Sequence, residues 1–415
     1  MENTIPKDLQ VPQEGGQIPN RWINNDIKPI EADRRTWNFW AFHDFCVLAS
    51  SNITAHMLGI INSLLGMFYH IGFPLVNRYI WGLYGSLFVL WNWILLSINA
   101  VQAWIGGQCI YVSLRAIWPS LESWNPNYMP QSTGMTTAQF VAYIIFMVIS
   151  LLVLHIRSHK LQKLFYISSA TIVIFEIVIL IWALASMGDS GFGSTISEPG
   201  AGGSGWKIAF GIMGLNVPAN ALAGGFDMAA TFPRYINLCR GAYITVLVWI
   251  ACNPWKLINT ATTFLAVLSS YSIFLGPMVG SMIASYFAVM RRKIKIEDLF
   301  PCHADAKGIY WYTYGVNWRA PVAWLCGMVP SLPGFVAHAD PSVAVPVGLT
   351  RIYYICFLTG TAISAGVYTA LHYIFPTPEV RAFVEEAPSP GILLQEYRLR
   401  WDRGSVNEIV EQVKP

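Results

Sequence analysis

Long runs of apolar residues, interrupted by few polar side chains, recur along almost the whole sequence. A helix needs about 20 such residues to cross a hydrocarbon core roughly 30 Å thick, and most of these runs approach or exceed that length. The pattern predicts nine hydrophobic segments, at Trp37 to Leu65, Trp81 to Trp118, Ala138 to Leu154, Leu164 to Met187, Trp206 to Phe232, Ala242 to Ile250, Thr262 to Val289, Ala320 to Val336 and Ile352 to Phe375. The chain is therefore predicted to be an all-α, polytopic membrane protein.

Basic residues between the segments predict their orientation, because Lys and Arg close to the end of a span are retained on the cytoplasmic side. Arg34 and Arg35 place the N-terminus inside. Loops 119–137, 188–205 and 337–349 contain no Lys or Arg and are predicted to face outward. Three further cytoplasmic turns are marked by basic residues: Arg157, Lys160 and Lys163; Arg234 and Arg240; and Arg291, Arg292, Lys293 and Lys295.

This alternation fails at one place near the start of the chain. The segment that ends near Leu65 should emerge outside, whereas the segment from Trp81 must begin inside to reach the outward loop at 119–137. The stretch between them, 66–80, is too short and too polar to cross. Either one of these segments is re-entrant or a crossing is missing from the chain.

The same pattern divides the chain into three regions: a cytoplasmic tail over 1–36, a transmembrane domain over 37–375 and a second cytoplasmic tail over 376–415. The first tail has no apolar run after a basic start, so no cleavable signal peptide is expected. The second mixes both charge signs with prolines and is predicted to be solvated, with one or two helical turns.

Composition excludes several classes of protein. Of the 415 residues, 54% are hydrophobic and 12% are charged, about half the charged share of an ordinary soluble domain. A net charge of +3 is too small and too scattered for a nucleic-acid-binding protein. The seven cysteines form no CxxC pair, so neither a disulfide framework nor a zinc site is predicted.

Polar side chains within the spans are candidates for function because they are costly in hydrocarbon. In WIGGQ, Trp104 and Gln108 are four residues apart and share one helix face, with Gly106 and Gly107 beside them. An indole and an amide suit a flat, polar ring. Alternatively, the glycines allow close helix packing and Trp104 fills a gap.

The segment NVPANALAGGFD carries a second pair of amides, Asn216 and Asn220, with Pro218 between them. Proline removes a backbone donor and disturbs the preceding turn, so carbonyls are freed in the middle of a span. Transporters use such interrupted helices as substrate and ion sites. This segment is therefore predicted to line a binding site.

Three more polar residues fall in predicted spans and are weaker candidates for cation coupling or gating: Asp44, Asn52 and Glu176. Asp44 is close enough to the cytoplasmic end to reach interfacial water or a basic partner. Asn52 is deeper and could mark a helix break. Glu176 is protonated, paired or exposed to water, and the sequence does not decide between these.

Two other motifs are given structural interpretations. His155 and His159 have the spacing of helical metal ligands but lack a nearby carboxylate or cysteine, so no metal site is expected. Gly276 to Gly280 forms a GxxxG pattern, which predicts a close helix contact. We find no cluster typical of an enzyme active site.

Several blocks of sequence resemble the nucleobase-cation symport family, also called the cytosine-purine permease group, and within it the fungal uracil, uridine and allantoin permeases. They are RRTWNFWAFHDF, YHIGFPLVNRYIWGLYGS, WIGGQCIYVSLRAIWPS, NVPANALAGGFDMAATFPRYIN, FLAVLSSYSIFLGPMVGSMIASYF, YTYGVNWRAPVAWLCG and PSLPGF. The blocks follow the family's order over most of 20–375.

The resemblance implies a LeuT-like fold, in which two inverted repeats of five helices and two further helices surround a site at the middle of the membrane. It also implies alternating access coupled to Na⁺ or H⁺. Carried over to this sequence, Trp104 would stack on the base, Gln108 would bind its edge and Asn220 would hydrogen-bond it, supported by Asn216.

The sequence departs from the family at two places. Near 60–63, Ile60, Ile61 and Asn62 stand where the family has a further span. Near 214–215, the start of the sixth span joins the middle of the eighth, so the seventh span and parts of its neighbours are missing. The predicted fold is therefore incomplete, with about nine segments instead of twelve. A smaller loss is predicted at 97–100.

Two functions remain open. The first is a plasma-membrane transporter, not an enzyme, that imports a nucleobase, nucleoside or related heterocycle of the uracil, uridine or allantoin class together with a cation, preferably a proton. The second is an internally deleted, non-transporting member, or a faulty gene model, retained in the endoplasmic reticulum. Expected partners are a small heterocycle and the lipid bilayer, with no nucleic acid and no cofactor other than the transported cation.

Overall fold

The computed structural model describes residues 53–98, 101–121, 127–155, 217–252, 270–300, 308–340 and 342–402, with shorter pieces elsewhere, among them 24, 26–28 and 254–255. Their regular structure is helical, as the hydrophobic pattern predicts. The first seven described helices are α1 (Ile53–Tyr69), α2 (Phe73–Trp81), α3 (Gly85–Ile98), α4 (Val101–Ile117), α5 (Thr137–Leu154), α6 (Ala223–Thr231) and α7 (Leu238–Ala251). The remaining ones are α8 (Ser272–Ala284), α9 (Arg319–Met328), α10 (Leu332–Ala339), α11 (Val347–Tyr354), α12 (Cys356–Ile374), α13 (Pro378–Glu386) and α14 (Pro390–Asp402).

Three helical stretches of the described chain are long and apolar enough to cross a membrane: Thr137–Leu154, Ser272–Val289 and Arg319–Ala339. Two of them are composite. A π-helix, Ser285–Val289, continues α8, and a short 3₁₀ turn, Val329–Ser331, joins α9 to α10. Helices α11 and α12 pass the same test together but meet at 85°, like a broken span. Other predicted segments lie partly outside the described residues.

Two features near the start differ from the predictions. The segment Trp81 to Trp118, predicted as one unit, contains two separate helices, α3 and α4. A single helix of that length would extend about 57 Å, nearly twice the hydrocarbon thickness. The stretch 66–80, predicted to be too short and too polar to cross, forms the end of α1, which continues to Tyr69, and most of α2, which is buried from Pro74 to Trp81.

The polar side chains of α2 are buried and donate to backbone carbonyls, while the Asn77 side-chain oxygen has no partner among the described residues. Asn77 donates to the Phe73 carbonyl at 2.9 Å. The buried Arg78 donates to the carbonyls of Leu299, at 3.0 Å, and Trp22, at 2.8 Å. Burial lowers the pKa of the Arg78 guanidinium to about 10, so it still carries its charge at neutral pH. These two bonds attach α2 to the loop that contains Leu299 and to the N-terminal segment that contains Trp22.

Helices α8 and α12 pack backbone to backbone along the predicted GxxxG pattern. A Cβ added at Gly276 would lie 2.6 Å from the Phe357 carbonyl oxygen, and one at Gly280 would overlap the Thr361 carbonyl. Equal steps of four residues on both helices show that they run parallel. The Thr361 hydroxyl donates across the contact to the Gly276 carbonyl at 2.9 Å. The prediction of a close helix contact is confirmed.

Helix α2, residues 290–299 and 310, and helices α13 and α14 belong to one hydrophobic core cluster, which also takes in α8, α9 and α12. Its buried side chains include Leu75, Tyr79, Ile294, Leu299, Tyr310, Val380, Val384 and Tyr397. Helices α13 and α14 are longer than the one or two helical turns that were predicted, and Val380, Val384 and Tyr397 are buried, while most other residues of 378–397 are exposed. Lys293 fastens this tail, because its ammonium donates to the carbonyls of Val384 and Ala387 at 2.7 Å each.

Asn24 and Asp26 of the predicted N-terminal tail lie against the loop between α6 and α7. The Asn24 amide donates to the Ile236 carbonyl at 3.0 Å, and the Asp26 carboxylate accepts from the Leu238 backbone N–H at 2.8 Å. This carboxylate caps the N-terminus of α7, where unpaired N–H groups attract negative charge. The turn at Arg234 and Arg240 is thereby covered by the first part of the chain.

We expect Gly280→Ala to lower the free energy of unfolding by about 1–3 kcal/mol, because the added methyl group would force α8 away from α12. Thermal unfolding of the purified protein in detergent would measure the change. Gly366→Ala on α12 is the matched control, since a Cβ there meets nothing within 4 Å. Equal stability of the two variants would contradict the close contact.

Candidate functional site

Helix α4 carries Trp104 and Gln108 and packs closely against α5. A Cβ added at Gly107 would lie 2.7 Å from the Tyr143 Cα, and one at Gly106 would overlap the Phe146 ring. The interpretation of these two glycines as a close helix contact is therefore confirmed. The small residues bring the α4 backbone next to α5 and leave Trp104 and Gln108 at the edge of the contact.

Trp104 belongs to a cluster of aromatic rings. Its indole is 4% exposed and lies 5.6 Å, between ring centroids, from Tyr143 and 6.0 Å from Trp255. Tyr143 and Trp255 are themselves 5.8 Å apart, so the three rings form a triangle, and Phe140 touches Trp255 at 5.7 Å. In this conformation other side chains take up the space that a stacked ligand would need.

Two polar atoms next to this cluster are buried without a hydrogen-bond partner among the described residues: the Gln108 amide nitrogen and the Tyr143 hydroxyl. Such groups are rare, because an unsatisfied buried donor costs about 1–3 kcal/mol. They mark positions where a ligand or a water molecule can supply the missing acceptor. Gln108 was predicted from the sequence, whereas Tyr143 was not.

Asn220 lies on an irregular helix, as the proline predicts. Residues Val217–Leu222, which include Pro218, form a π-helix that leads into α6. The Asn220 amide donates to the side-chain carbonyl of Gln102 on α4. Gln102 is a polar residue that we did not select from the sequence, although an amide within an apolar helix was the signal that could have identified it.

The described conformation does not bring the predicted residues to one point. Gln102 precedes Gln108 by six residues, so it lies about 9 Å away along α4 and about 120° around it. Asn220 therefore contacts a different part of α4 from the face that carries Trp104 and Gln108. The arrangement contains an amide pair, Gln102 and Asn220, and a separate aromatic cluster around Trp104.

Asp227 is a second residue missed from the sequence. It is 3% exposed and lies on α6, seven residues after Asn220 and so on nearly the same helix face. Among the buried side chains of the described spans, it is the one that carries a carboxylate. Its signal was its position inside a predicted span, where a titratable group is costly and commonly functional.

The other predicted site residues, Asn216, Asp44, Asn52 and Glu176, lie outside the described residues. His155 ends α5 and approaches the Tyr243 hydroxyl at 3.3 Å, while His159 is not described. The described part of the chain contains no group of three or more His, Cys, Asp or Glu side chains placed to hold a metal ion.

Comparison with known proteins agrees with the resemblance. The family model for permeases for cytosine/purines, uracil, thiamine and allantoin matches residues 36–207 and 204–360. The allantoin permease of Saccharomyces cerevisiae is 27% identical, over 86% of this chain and 76% of that protein. The uracil permease of the same yeast is 25% identical over the same shares, and its thiamine transporter is 26% identical over 89% and 82%.

Among solved structures, the chain is similar to Mhp1, a nucleobase-cation-symport-1 family transporter, in a closed conformation with bromovinylhydantoin bound. The TM-score is 0.52 at 18% identity, over 87% of this chain and 90% of Mhp1. This similarity, together with the helical structure, confirms the predicted LeuT-like transporter fold.

The alignments also bear on the missing segments. The alignment with allantoin permease extends over 484 positions and takes in 86% of 415 residues, so about 130 positions of that protein face no residue here. The family model matches in two stretches that meet at 204–207, a few residues before the predicted join at 214–215. The extent of the gap agrees with missing spans, while their positions remain predictions.

We expect the Gln102–Asn220 pair to show as a coupling of about 1 kcal/mol in a double-mutant cycle of Gln102→Leu and Asn220→Leu. Thermal unfolding in detergent is the measurement. Gln108→Leu combined with Asn220→Leu is the matched control and should give additive changes, because these residues lie on different faces of the contact. Equal coupling in both cycles would contradict the assignment.

Proposed function

Since the chain belongs to the family of permeases for cytosine/purines, uracil, thiamine and allantoin, we propose that it imports a heterocycle of the uracil, uridine or allantoin class across the plasma membrane together with a proton. The family consists of transporters, so the chain is a membrane permease and not an enzyme. The observation that carries the proposal is the family match over both parts of the chain, which includes the amide-bearing π-helix that contains Pro218.

The substrate site is proposed to form around α4 and the π-helix. Uracil, uridine and allantoin all present N–H donors and carbonyl acceptors on a flat ring, and amide side chains can satisfy both. Gln108 brings a buried nitrogen that lacks an acceptor, and Asn220 and Gln102 satisfy each other until a ligand separates them. Trp104 would supply the stacking surface.

Binding requires a change in the aromatic cluster, because Trp104 is covered by Tyr143 and Trp255. Trp255 comes from a part of the chain beyond α7, whereas Tyr143 is fixed to α4 through the glycine contact. Withdrawal of Trp255 would therefore uncover the indole without separating α4 from α5. Alternating access requires a movement of this kind, in which one group of helices opens the site to one side at a time.

For the proton, we propose Asp227. A proton-coupled transporter needs a group inside the membrane that can gain and lose a proton, and Asp227 is a buried carboxylate on the helix that carries Asn220. It lies four residues before the end of α6, about 6 Å from the turn that the basic residues assign to the cytoplasm. Substrate binding and proton release would thus act on one helix.

A second candidate function is favoured by the missing positions. Loss of whole spans leaves polar groups facing lipid or an incomplete cavity, and such chains are retained in the endoplasmic reticulum. Sequencing the transcript across codons 59–66 and 210–217 separates the two candidates. If further segments are present, the chain is a misread symporter with the site described above; if the 415 residues are confirmed, localisation should be measured before uptake.

Uptake of labelled uracil, uridine and allantoin in a host without such transporters tests the substrate site. We expect Trp104→Ala and Asn220→Ala to reduce uptake of the transported compound at least ~10-fold, since one lost stacking or amide contact costs about 1–3 kcal/mol. His155→Ala is the matched control and should leave uptake unchanged. Background uptake of all three compounds by a chain that reaches the cell surface would refute the transport proposal.

The role of Asp227 is tested separately by the pH dependence of uptake. We expect Asp227→Asn to reach the cell surface but to lose the stimulation of uptake by an acidic medium, because an amide cannot carry the proton. Glu379→Gln, which changes an exposed carboxylate on α13, is the control and should keep the wild-type pH profile. A wild-type profile in Asp227→Asn would remove this residue from the coupling step.

A further inference from the structure

A groove of about 620 Å³ runs between α8, with its π-helical continuation, and α12. It begins where the close contact at Gly276 and Gly280 ends, one turn further along both helices. Small side chains form its floor: Ala284, Ala288, Ala365, Gly366 and Ala370. Gly366 is exposed, and a Cβ added there would meet nothing within 4 Å, so the groove is open at its centre.

The groove is apolar and opens sideways from the helix pair. Phe287, 40% exposed, and Tyr373, 87% exposed, stand at its edges. Of its two hydroxyl-bearing side chains, Thr369 donates to the Ala365 carbonyl at 2.8 Å, and Tyr373 stands at the exposed edge. A heterocyclic substrate would lose its hydrogen bonds here, whereas a hydrocarbon chain would lose none.

The position of the groove matches one leaflet of a bilayer. On α12 it extends from Ala365 to Tyr373, which corresponds to about 12 Å of helix, less than half of a hydrocarbon core of about 30 Å. Helices α8 and α12 run parallel, so the deep end lies towards the middle of the membrane. The shallow end lies at the turn that Arg291 and Arg292 mark as cytoplasmic.

Basic side chains surround this shallow end. Arg291 and Arg292 are exposed and follow Phe287 by about one turn. Both have positive φ angles, 49° and 64°, and the turn is held by the Arg292 N–H bond to the Tyr286 carbonyl at 2.8 Å. Among the described residues, neither guanidinium has a hydrogen-bond partner. Lys293 is different, because its ammonium already binds two carbonyls of the C-terminal tail.

Helix α13 adds Arg381 and Glu385 beside the same end. Arg381 donates to the Glu385 carboxylate at 2.9 Å and interacts electrostatically with Tyr373 at the groove. The hydrogen bond and charge of Arg381, with a smaller contribution from Arg291, hold the pKa of Glu385 below its usual value. The Glu385 carboxylate thus interacts with Arg381 and, more weakly, with Arg291.

We propose that the groove binds one acyl chain of an anionic glycerophospholipid of the cytoplasmic leaflet, whose headgroup phosphate is held by Arg291 and Arg292. The charge complements the occupant, since this leaflet is rich in anionic lipids and basic pockets between spans bind their headgroups. Arginine is suited to the role because its planar fork of donors matches a phosphate. The bound lipid would fill the gap that α8 and α12 leave below their glycine contact.

Photo-labelling of the full chain tests the proposal. The protein is placed in phosphatidylcholine vesicles that contain a small fraction of a probe lipid, either phosphatidylserine or phosphatidylcholine. The probe lipid carries a diazirine near the end of its acyl chain. We expect phosphatidylserine to label peptides 283–288 and 365–373 about tenfold more than phosphatidylcholine, because the two arginines at the membrane surface favour an anionic headgroup. Arg291→Ala combined with Arg292→Ala should remove the preference, and Arg351→Ala, an exposed arginine of α11, should keep it.

A second variant tests the groove without touching the charges. Gly366→Leu should fill the groove and reduce labelling by both probes, whereas Gly348→Leu, at an equally open glycine of α11, should not. Equal labelling by the two lipids would show ordinary boundary lipid and overturn the proposal. Cross-links between two copies of these peptides, in place of lipid adducts, would show that a second chain covers the groove and would also overturn it.

Discussion

Polar groups inside the hydrocarbon core have no water to bind, so each one must find its partner within the protein. In the described spans, the indole N–H of Trp249 donates to the Ser97 carbonyl at 2.7 Å, and the Thr361 hydroxyl reaches the Gly276 carbonyl. Such bonds between helices require backbones to come close. The glycine contacts of α8 with α12 and of α4 with α5 provide that proximity, and the rest of the architecture depends on it.

The need of every buried polar group for a partner also makes the candidate site recognisable, because its amides are either paired with each other or left without a partner. Gln102 and Asn220 satisfy each other across the contact between α4 and the π-helix, whereas the Gln108 nitrogen and the Tyr143 hydroxyl have no partner in the described residues. The paired amides cost little free energy in the ligand-free state, whereas an unpaired donor gains a hydrogen bond when a ligand binds. Under the proposed function, the covered indole of Trp104 means that substrate binding requires a change in conformation.

The end of the molecule that carries α2, loop 290–300 and α13 is held together in another way. Here water is available, and the interactions are a hydrophobic core together with charged side chains that bind backbone carbonyls. Arg78 joins loop 290–300 to the N-terminal region, and Lys293 joins it to α13. This assembly surrounds the ends of α8 and α12, next to the proposed lipid groove. Segments far apart in sequence therefore stabilise one face of the protein, although about 130 positions of the allantoin permease have no counterpart in this chain.

Several properties were determined by the sequence alone, because they depend on local composition and spacing. The apolar runs predicted a helical membrane protein, the small residues at Gly276 and Gly280 predicted a close contact, and Pro218 predicted an irregular helix at Asn220. The blocks of family sequence predicted the transporter fold. None of these requires knowledge of which helices are neighbours.

Only the tertiary structure decided which residues meet. The choice of Gln102 as the partner of Asn220, the cover of Tyr143 and Trp255 over Trp104, and the burial of Asp227 all depend on how α4, α5 and α6 are placed. The C-terminal tail gave a similar result, since its charges and prolines resemble a solvated segment until Val380, Val384 and Tyr397 are seen to bury against α2 and loop 290–318. Side-chain pairing across separate helices is a property of packing, and a one-dimensional pattern does not contain it.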